Sequence, residues 1–139
     1  MGEFEGRAVL VTGGALGIGQ GIVRAFAREG AMVAISDVNG VTAGDLATEL
    51  DAPGCHVIAV IGDVSEPADA QRMVEEAVAG LGRLDVLVNN AGIQPQGTYL
   101  TVEDTPVEAW DRILGVNLRG TFLMSKFALP HIRRTGFAE

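Results

Sequence analysis

The sequence has few cysteines, few aromatic side chains and few cations, and each shortage excludes a class of protein. Cys55 is the only cysteine among 139 residues, so an internal disulfide or a multi-cysteine zinc site is excluded. Aromatic residues make up 5% of the chain and apolar residues 47%, so the core must be built from small aliphatic side chains. The formal net charge of −8 argues against nucleic acid and against an anionic membrane surface as partners.

Long hydrophobic segments are absent as well. The first residues, MGEFEGR, include no apolar stretch, so we expect no signal peptide. The longest apolar runs, such as residues 57–61, are far too short to span a bilayer. His56 and His131 are too far from any cluster of acids or thiols to predict a metal site. These features predict one cytoplasmic domain over residues 1–139, without a metal, membrane or nucleic-acid partner.

Four short apolar runs recur along the chain at a nearly constant interval. They do not alternate with polar residues, which is typical of strands covered on both faces, and segments with helical spacing lie between them. This alternation predicts an α/β fold with a doubly wound, Rossmann-like parallel sheet and right-handed crossovers. The predicted strands are Ala8–Val11, Met32–Ile35, Val57–Ile61 and Leu84–Val88.

Two of the helices have recognisable start signals. Ser65 is a candidate N-cap for the helix after the third strand. Thr105 and Glu108 have the spacing of a capping box, with Pro106 at the first helical position. The second of these helices is predicted to run towards Pro130.

The segment between the first strand and the first helix, VLVTGGALGIGQGIVRAF, is rich in glycine. Gly13, Gly17 and Gly19 stand where a Cβ atom would block a sharp turn and the approach of a ligand. A helix N-terminus exposed in this way attracts phosphate groups. The pattern predicts a diphosphate-binding turn, although a helix-initiating turn without a ligand has the same glycines.

The second strand ends in AISDV, which places Asp37 where an acid would meet the hydroxyl groups of an adenosine ribose. A carboxylate there repels a 2′-phosphate by about 4 kcal/mol at ~4 Å and an effective dielectric constant near 20. No basic residue stands beside Asp37 in the sequence to offset this repulsion. The residue therefore predicts NAD rather than NADP, the alternative being a solvated acid at a strand end.

Four motifs in chain order resemble those of the short-chain dehydrogenase/reductase family. TGGALGIG (Thr12–Gly19) resembles the cofactor loop of that family, and DV (Asp63–Val64) resembles its adenine-contacting pair. NNAG (Asn89–Gly92) resembles the fourth-strand signature, and GVNLRGTF (Gly115–Phe122) resembles the helix that carries an active-site asparagine. The resemblance extends from Arg7 to about Arg134 and implies an oxidoreductase that transfers hydride between NAD(H) and an alcohol or ketone.

The resemblance also implies roles for individual residues. Asn117 would be catalytic by bending its helix and holding a water in a proton relay, unless it bonds a neighbouring helix or solvent. Asn89 would bridge the central sheet, and Asp63 could instead cap the turn before Ser65. A homo-oligomer would form through the helix around residues 110–127. The residues implied in cofactor binding are Gly13, Leu16, Gly17, Ile18, Gly19, Asp37, Asp63, Val64, Asn90 and Gly92.

The sequence departs from the family pattern at the catalytic groups. The family uses a Ser and a Tyr-x-x-x-Lys pair, but the residue four after Tyr99 is Glu103, and Lys126 lies on another segment. We therefore expect the N-terminal, cofactor-binding portion of such an enzyme, truncated after its fifth helix, with the last strand left as an exposed edge. The alternative is a non-catalytic NAD-binding or dimerising module.

Overall fold

Every predicted strand forms, and all of them pair in parallel. The computed structural model describes residues 2–136, so Met1 and residues 137–139 of the predicted domain lie outside the described part. The strands are β1 Ala8–Thr12, β2 Met32–Asp37, β3 Val57–Ile61 and β4 Val86–Val88. The α-helices are α1 Gly17–Arg28, α2 Gly40–Leu50, α3 Pro67–Leu81, α4 Val107–Leu114 and α5 Gly120–Arg134, with a π-helical segment, Gly115–Arg119, between the last two.

The sheet has the strand order β3-β2-β1-β4. In the register, Leu10 of β1 lies opposite Ala34 of β2 and Leu87 of β4. The chain therefore moves outward from β1 through β2 to β3 and then returns to the other side of β1. This reversal is the topological switch point at which open α/β sheets bind ligands. The predicted doubly wound fold is confirmed.

Helices cover both faces of the sheet. Val9 and Val11 of β1 pack on one face with Val23 of α1. Leu10, between them in sequence, packs on the other face with Met73 of α3 and with α5. Since both faces are buried, every β1 side chain is inside the molecule. This two-sided burial explains why the strands read as unbroken apolar runs.

The fourth strand is shorter than predicted. Leu84 and Asp85 precede β4 instead of beginning it. The carboxylate of Asp85 accepts a hydrogen bond from the N–H of Ala8 at 2.9 Å, and the N–H of Asp85 donates to the Ala8 carbonyl. The Asp85 side chain thus occupies the Ala8 N–H, which regular strand pairing would use. The ladder of paired residues between β1 and β4 therefore starts only at Val86. Among the described strands, β4 pairs with β1 alone.

The predicted N-cap at Ser65 is wrong. The helix α3 begins at Pro67, and Glu66 occupies the N-cap position without a side-chain hydrogen bond. The Ser65 hydroxyl donates instead to Oδ1 of Asp63 at 2.6 Å. Because that hydroxyl is committed to the preceding turn, Ser65 does not cap the helix.

The capping box predicted at Thr105 is also wrong. The Thr105 hydroxyl donates back to the carbonyl of Thr101 at 2.8 Å. Pro106 has extended backbone angles and is the N-cap, so α4 begins one residue later, at Val107. The local turn around residues 101–105 competes successfully for the hydroxyl that the capping box would need.

The last predicted helix is continuous but not regular. Within the π-helical segment, the N–H of Gly120 donates to the carbonyl of Gly115, five residues back. The helix then continues beyond the predicted limit, so that Pro130 lies inside α5. Neither this stretch nor any other helix within residues 2–136 is long and apolar enough to cross a membrane.

Candidate functional site

A cavity of about 390 Å³ opens at the carboxyl edge of the sheet, beside the switch point. We call it the edge cavity. All the site residues predicted from the sequence line it except Gly17 and Asn117. Its lining consists of Gly13, Leu16, Ile18, Gly19, Ser36, Asp37, Val38, Gly62, Asp63, Val64, Asn90, Ala91, Gly92, Ile93, Arg112 and Val116.

The N-terminus of α1 faces the edge cavity without a side-chain cap. Leu16, at the N-cap position, has an extended backbone and makes no capping hydrogen bond, and the first turn contains no acidic residue. The first N–H groups of a helix have no partner within the helix. Those of α1 are therefore free to donate to an anion, and the helix dipole favours negative charge there.

Glycine is required at two points of this turn for different reasons. A Cβ atom on Gly19 would lie 2.0 Å from the carbonyl oxygen of Gly13 and 2.6 Å from Nδ2 of Asn90. Crowding therefore excludes any side chain at Gly19. Gly17 has no atom within 4 Å of such a Cβ, but its φ of +56° is one that side-chain-bearing residues rarely adopt.

Asp37 is the last residue of β2, and its carboxylate is fixed by the backbone around it. Its Oδ2 accepts from the N–H of Ala15 at 3.1 Å, and its Oδ1 accepts from the N–H of Asn39 at 3.0 Å. The first bond links the glycine-rich turn to the end of β2. It places the carboxylate and the N-terminus of α1 on the same cavity, as the sequence predicts.

Asp63 both lines the edge cavity and caps a turn. Its Oδ1 accepts from the N–H of Ser65 at 2.9 Å and from the hydroxyl of that residue. The N–H of Asp63 donates to Oδ2 of Asp69 at 2.9 Å. This bond, followed by one from Arg72, lowers the pKa of the Asp69 carboxyl below its ordinary value. The turn-capping alternative for Asp63 is thus observed together with the cavity position.

The adjacent amides of Asn89 and Asn90 have separate partners. Nδ2 of Asn90 donates to the carbonyls of Thr12 and Gly13, each at 3.1 Å, so this residue links the ends of β1 and β4. The Thr12 hydroxyl oxygen accepts from the N–H of Asn90 at 3.0 Å and tightens the same junction. Nδ2 of Asn89 donates to Ser125 of α5 at 3.1 Å. The prediction that Asn89 bridges the sheet is therefore wrong, because Asn90 does so.

Asn117 lies in the π-helical segment and binds the loop after β4. Its Oδ1 accepts from the N–H of Ile93 at 2.7 Å, and its Nδ2 donates to the Ile93 carbonyl at 3.0 Å. This pair of bonds fixes the backbone of a residue that lines the edge cavity, while the Asn117 side chain itself stays outside the lining. The partner of Asn117 is thus a loop, not the neighbouring helix or solvent of the alternative, and the water-holding role stays a prediction.

Several lining residues are not among those predicted from the sequence. Six of them are chain neighbours of predicted residues, so adjacency alone would have found them: Ser36, Val38, Gly62, Ala91, Ile93 and Val116. Arg112 is different because it comes from the α4 helix. Its spacing of four from Val116 places both on one helical face, but the sequence does not indicate that this face meets the cavity.

Comparison with known proteins identifies the family. The model of the short chain dehydrogenase family matches residues 7–137. This chain belongs to the short-chain dehydrogenase family. The family predicted from the four sequence motifs is therefore confirmed, and the edge cavity lies where those motifs meet.

The relatives of this chain include enzymes that are named for different substrates. The L-fucose dehydrogenase of Bos taurus is 40% identical over 133 residues, which are 96% of this chain and 47% of that protein. The meso-2,3-butanediol dehydrogenase of Serratia marcescens is 38% identical over 133 residues, 96% of this chain and 51% of that enzyme. This chain thus spans about half the length of the curated relatives it matches.

A solved short-chain dehydrogenase structure has the same fold. The crystal structure of 3-ketoacyl-(acyl-carrier-protein) reductase from Brucella melitensis, complexed with NADH, superposes with a TM-score of 0.85 at 40% identity. The match covers 95% of this chain and 52% of that one. The oxidoreductase class and the nicotinamide dinucleotide inferred from the sequence agree with these relatives.

Proposed function

We propose that this chain is the NAD-binding portion of an oxidoreductase that transfers hydride between NAD(H) and an alcohol or ketone. One observation carries the proposal. The edge cavity unites the uncapped N-terminus of α1, the carboxylate of Asp37 and the end of β4 at the switch point of the sheet. On this proposal, residues 1–139 form a single dinucleotide-binding domain.

The residues around the edge cavity suit the parts of NAD. Its volume of about 390 Å³ lies within the ~300–1,000 Å³ of typical ligand pockets. The N-terminus of α1 would hold the diphosphate and Asp37 the adenosine ribose, while Asp63 and Val64 would bind adenine. Asn90 and Gly92 would face the nicotinamide ribose. When bound, NAD supplies the hydride donor or acceptor, and the protein orients it and excludes water.

Asn117 would act in this enzyme by positioning the loop after β4. Its two hydrogen bonds to Ile93 hold the backbone beside the site, and its helix departs there from α-helical geometry. A place in a proton relay is part of the proposal. Tyr99 is 81% exposed, and Nζ of Lys126 lies 6.0 Å from the ring centroid of Phe122. Neither Tyr99 nor Lys126 lines the edge cavity, so the proposal assigns proton exchange with the substrate to neither.

The proposal extends to partners and location. The substrate would be a small alcohol or ketone, as the names of the relatives suggest. Trp110, Leu118 and Phe122 are each more than half exposed and form the surface through which a homo-oligomer would assemble. Burial raises the pKa of the Cys55 thiol, with a further contribution from the charge of Asp51. A free thiol of this kind fits a reducing, cytoplasmic setting.

Calorimetric titration with NAD⁺ and NADP⁺ tests the proposal through the charge of Asp37. We expect the unaltered protein to bind NAD⁺ more tightly than NADP⁺. Asp37→Asn should lower the ratio of the two affinities by about tenfold, because it removes the repulsion of a 2′-phosphate while keeping an acceptor oxygen. We do not expect the change to reflect the full repulsion between the Asp37 carboxylate and the 2′-phosphate, since solvent screens part of that repulsion.

Asp45→Asn is the matched control, because Asp45 is exposed on α2 and does not line the edge cavity. This variant should leave the affinity ratio unchanged. Absence of dinucleotide binding by the unaltered protein would refute the proposed function. Binding with an equal ratio in the protein and its Asp37→Asn variant would refute the ribose assignment alone.

A further inference from the structure

Within residues 2–136, Arg112 is the only cationic residue that lines the edge cavity. In the same range its guanidinium group makes no hydrogen bond and no ion pair, whereas Arg24, Arg72 and Arg83 are each paired with a carboxylate. The edge cavity also contains the carboxylates of Asp37 and Asp63. A cation that faces these acids without pairing with them remains available to a ligand.

The position of Arg112 along the cavity follows from the packing of its helix. Val116 lies one turn later on the same face and is buried in the cavity wall. A Cβ atom on Gly115 would lie 3.8 Å from Cβ of Ser65. The helix therefore passes directly over the loop that follows β3, which contains Val64. Arg112 lies three residues before this contact with the β3 side of the cavity.

We propose that Arg112 covers the adenine ring of the bound dinucleotide, an inference that rests on the proposed function. Val64 and Val116 give the β3 side two apolar walls, as a flat heteroaromatic ring requires. Asp63 supplies an acceptor for its amino group. The guanidinium group is planar and stacks on aromatic faces. It would close the fourth side of this pocket against solvent.

The negatively charged parts of a dinucleotide are not expected at Arg112. The diphosphate belongs at the N-terminus of α1, which follows β1 in the middle of the sheet. A 2′-phosphate would meet the carboxylate of Asp37. Adenine is thus the part of the ligand that remains for Arg112.

Binding of four ligands to the intact protein tests this inference without measuring turnover. The ligands are AMP, NAD⁺, NADP⁺ and nicotinamide mononucleotide, each titrated by calorimetry. Arg112→Met should raise the dissociation constants of the three adenine-containing ligands by a similar factor, roughly three- to tenfold. The dissociation constant of nicotinamide mononucleotide should not change.

Two further variants separate stacking from simple charge. Arg112→Lys keeps the charge but loses the planar group, so we expect it to bind AMP nearly as weakly as Arg112→Met. Arg119→Met is the matched control, since Arg119 is exposed on the same continuous helix and does not line the edge cavity. It should bind all four ligands as the unaltered protein does.

Three results would overturn the inference while leaving the proposed function intact. They are unchanged AMP affinity in Arg112→Met, full recovery in Arg112→Lys, and a loss confined to NADP⁺, which would assign Arg112 to the 2′-phosphate. Failure of the unaltered protein to bind any of the ligands would instead refute the proposed function itself.

Discussion

Gly19 is where the site leaves least room for a side chain. It lies in the first turn of α1 and packs against both Gly13 and Asn90. Asn90 in turn holds the end of β4 against the end of β1 through its amide. The closeness of α1 to the junction of these strands therefore depends on one absent Cβ atom.

Gly19→Ala should destabilise the fold by about 1–3 kcal/mol, because the new Cβ atom must displace the Gly13 carbonyl or the Asn90 amide. Gly21→Ala is a matched control within α1, where an added Cβ has no atom within 4 Å. It should stabilise the fold by about 0.4–1 kcal/mol, since alanine restricts the unfolded chain. Urea denaturation of both variants measures these changes, and equal midpoints would contradict the crowding argument.

At the scale of elements, Asp85 joins the beginnings of β1 and β4. Its side chain is fully buried and accepts hydrogen bonds from Ala8, from Arg83 at 2.6 and 2.8 Å, and from Arg7 at 3.4 Å. Burial alone would raise the pKa of this carboxyl. The hydrogen bonds from Arg83, Ala8 and Thr135, together with the charge of Arg83, outweigh burial and hold the pKa below its ordinary value.

This lowered pKa predicts a particular acid sensitivity. The contribution of the Asp85 carboxylate to the free energy of unfolding is fully present above the unfolded-state pKa of about 3.9. It is lost as the pH falls through the lower folded-state pKa. Asp85→Asn should lower the free energy of unfolding by about 1–3 kcal/mol at neutral pH. It should also make the free energy of unfolding fall less steeply with decreasing pH below about pH 4.

Urea unfolding of the protein and of Asp85→Asn, measured from neutral pH down to about pH 2.5, checks this expectation. Asp111→Asn is the control, because Asp111 is exposed on α4. Its stability curve should parallel that of the unaltered protein. If the stability curve of Asp85→Asn also parallels that of the unaltered protein, the Asp85 carboxylate contributes no pH-dependent stability.

The elements differ in how far the sequence predicts them. The four strands could be located because both of their faces are buried, which leaves an unbroken apolar run. The helix starts expected at Ser65 and Thr105 could not be located in this way. The hydroxyl of each residue bonds a residue of the preceding turn instead of capping the helix. The same reasoning applies to the site. Motif residues such as Asp37 were found, whereas Arg112 reaches the cavity only through the packing of its helix over the loop after β3.

At the scale of the whole molecule, the exposed apolar surface of the last helices predicts assembly. Phe122 is 61% exposed and Leu118, four residues earlier, is 66% exposed. Phe122→Glu would place a charge in the proposed interface. We therefore expect this variant to form an oligomer with fewer subunits than the unaltered protein. The glutamate can pair with Lys126 four residues later, which preserves the helix itself.

Sedimentation equilibrium of the intact protein measures the change in mass. Val41→Glu is the matched control, because Val41 is 76% exposed on α2, outside the proposed interface. An unaltered protein that is already monomeric, or a Phe122→Glu variant that keeps its full mass, would exclude assembly through this surface.

The place of β4 beside β1 has a consequence for how the chain folds. Thr12 and Asn90 are separated by 78 positions, and Ala8 and Asp85 by 77, so the two ends of this strand pair are held by contacts between distant parts of the chain. The entropy lost in closing a loop grows with its length, and such contacts form late. Because the end of β4 is one wall of the edge cavity, a dinucleotide bound there would hold this long loop closed. It would stabilise the folded form by about 2.7 kcal/mol at a hundred times its dissociation constant.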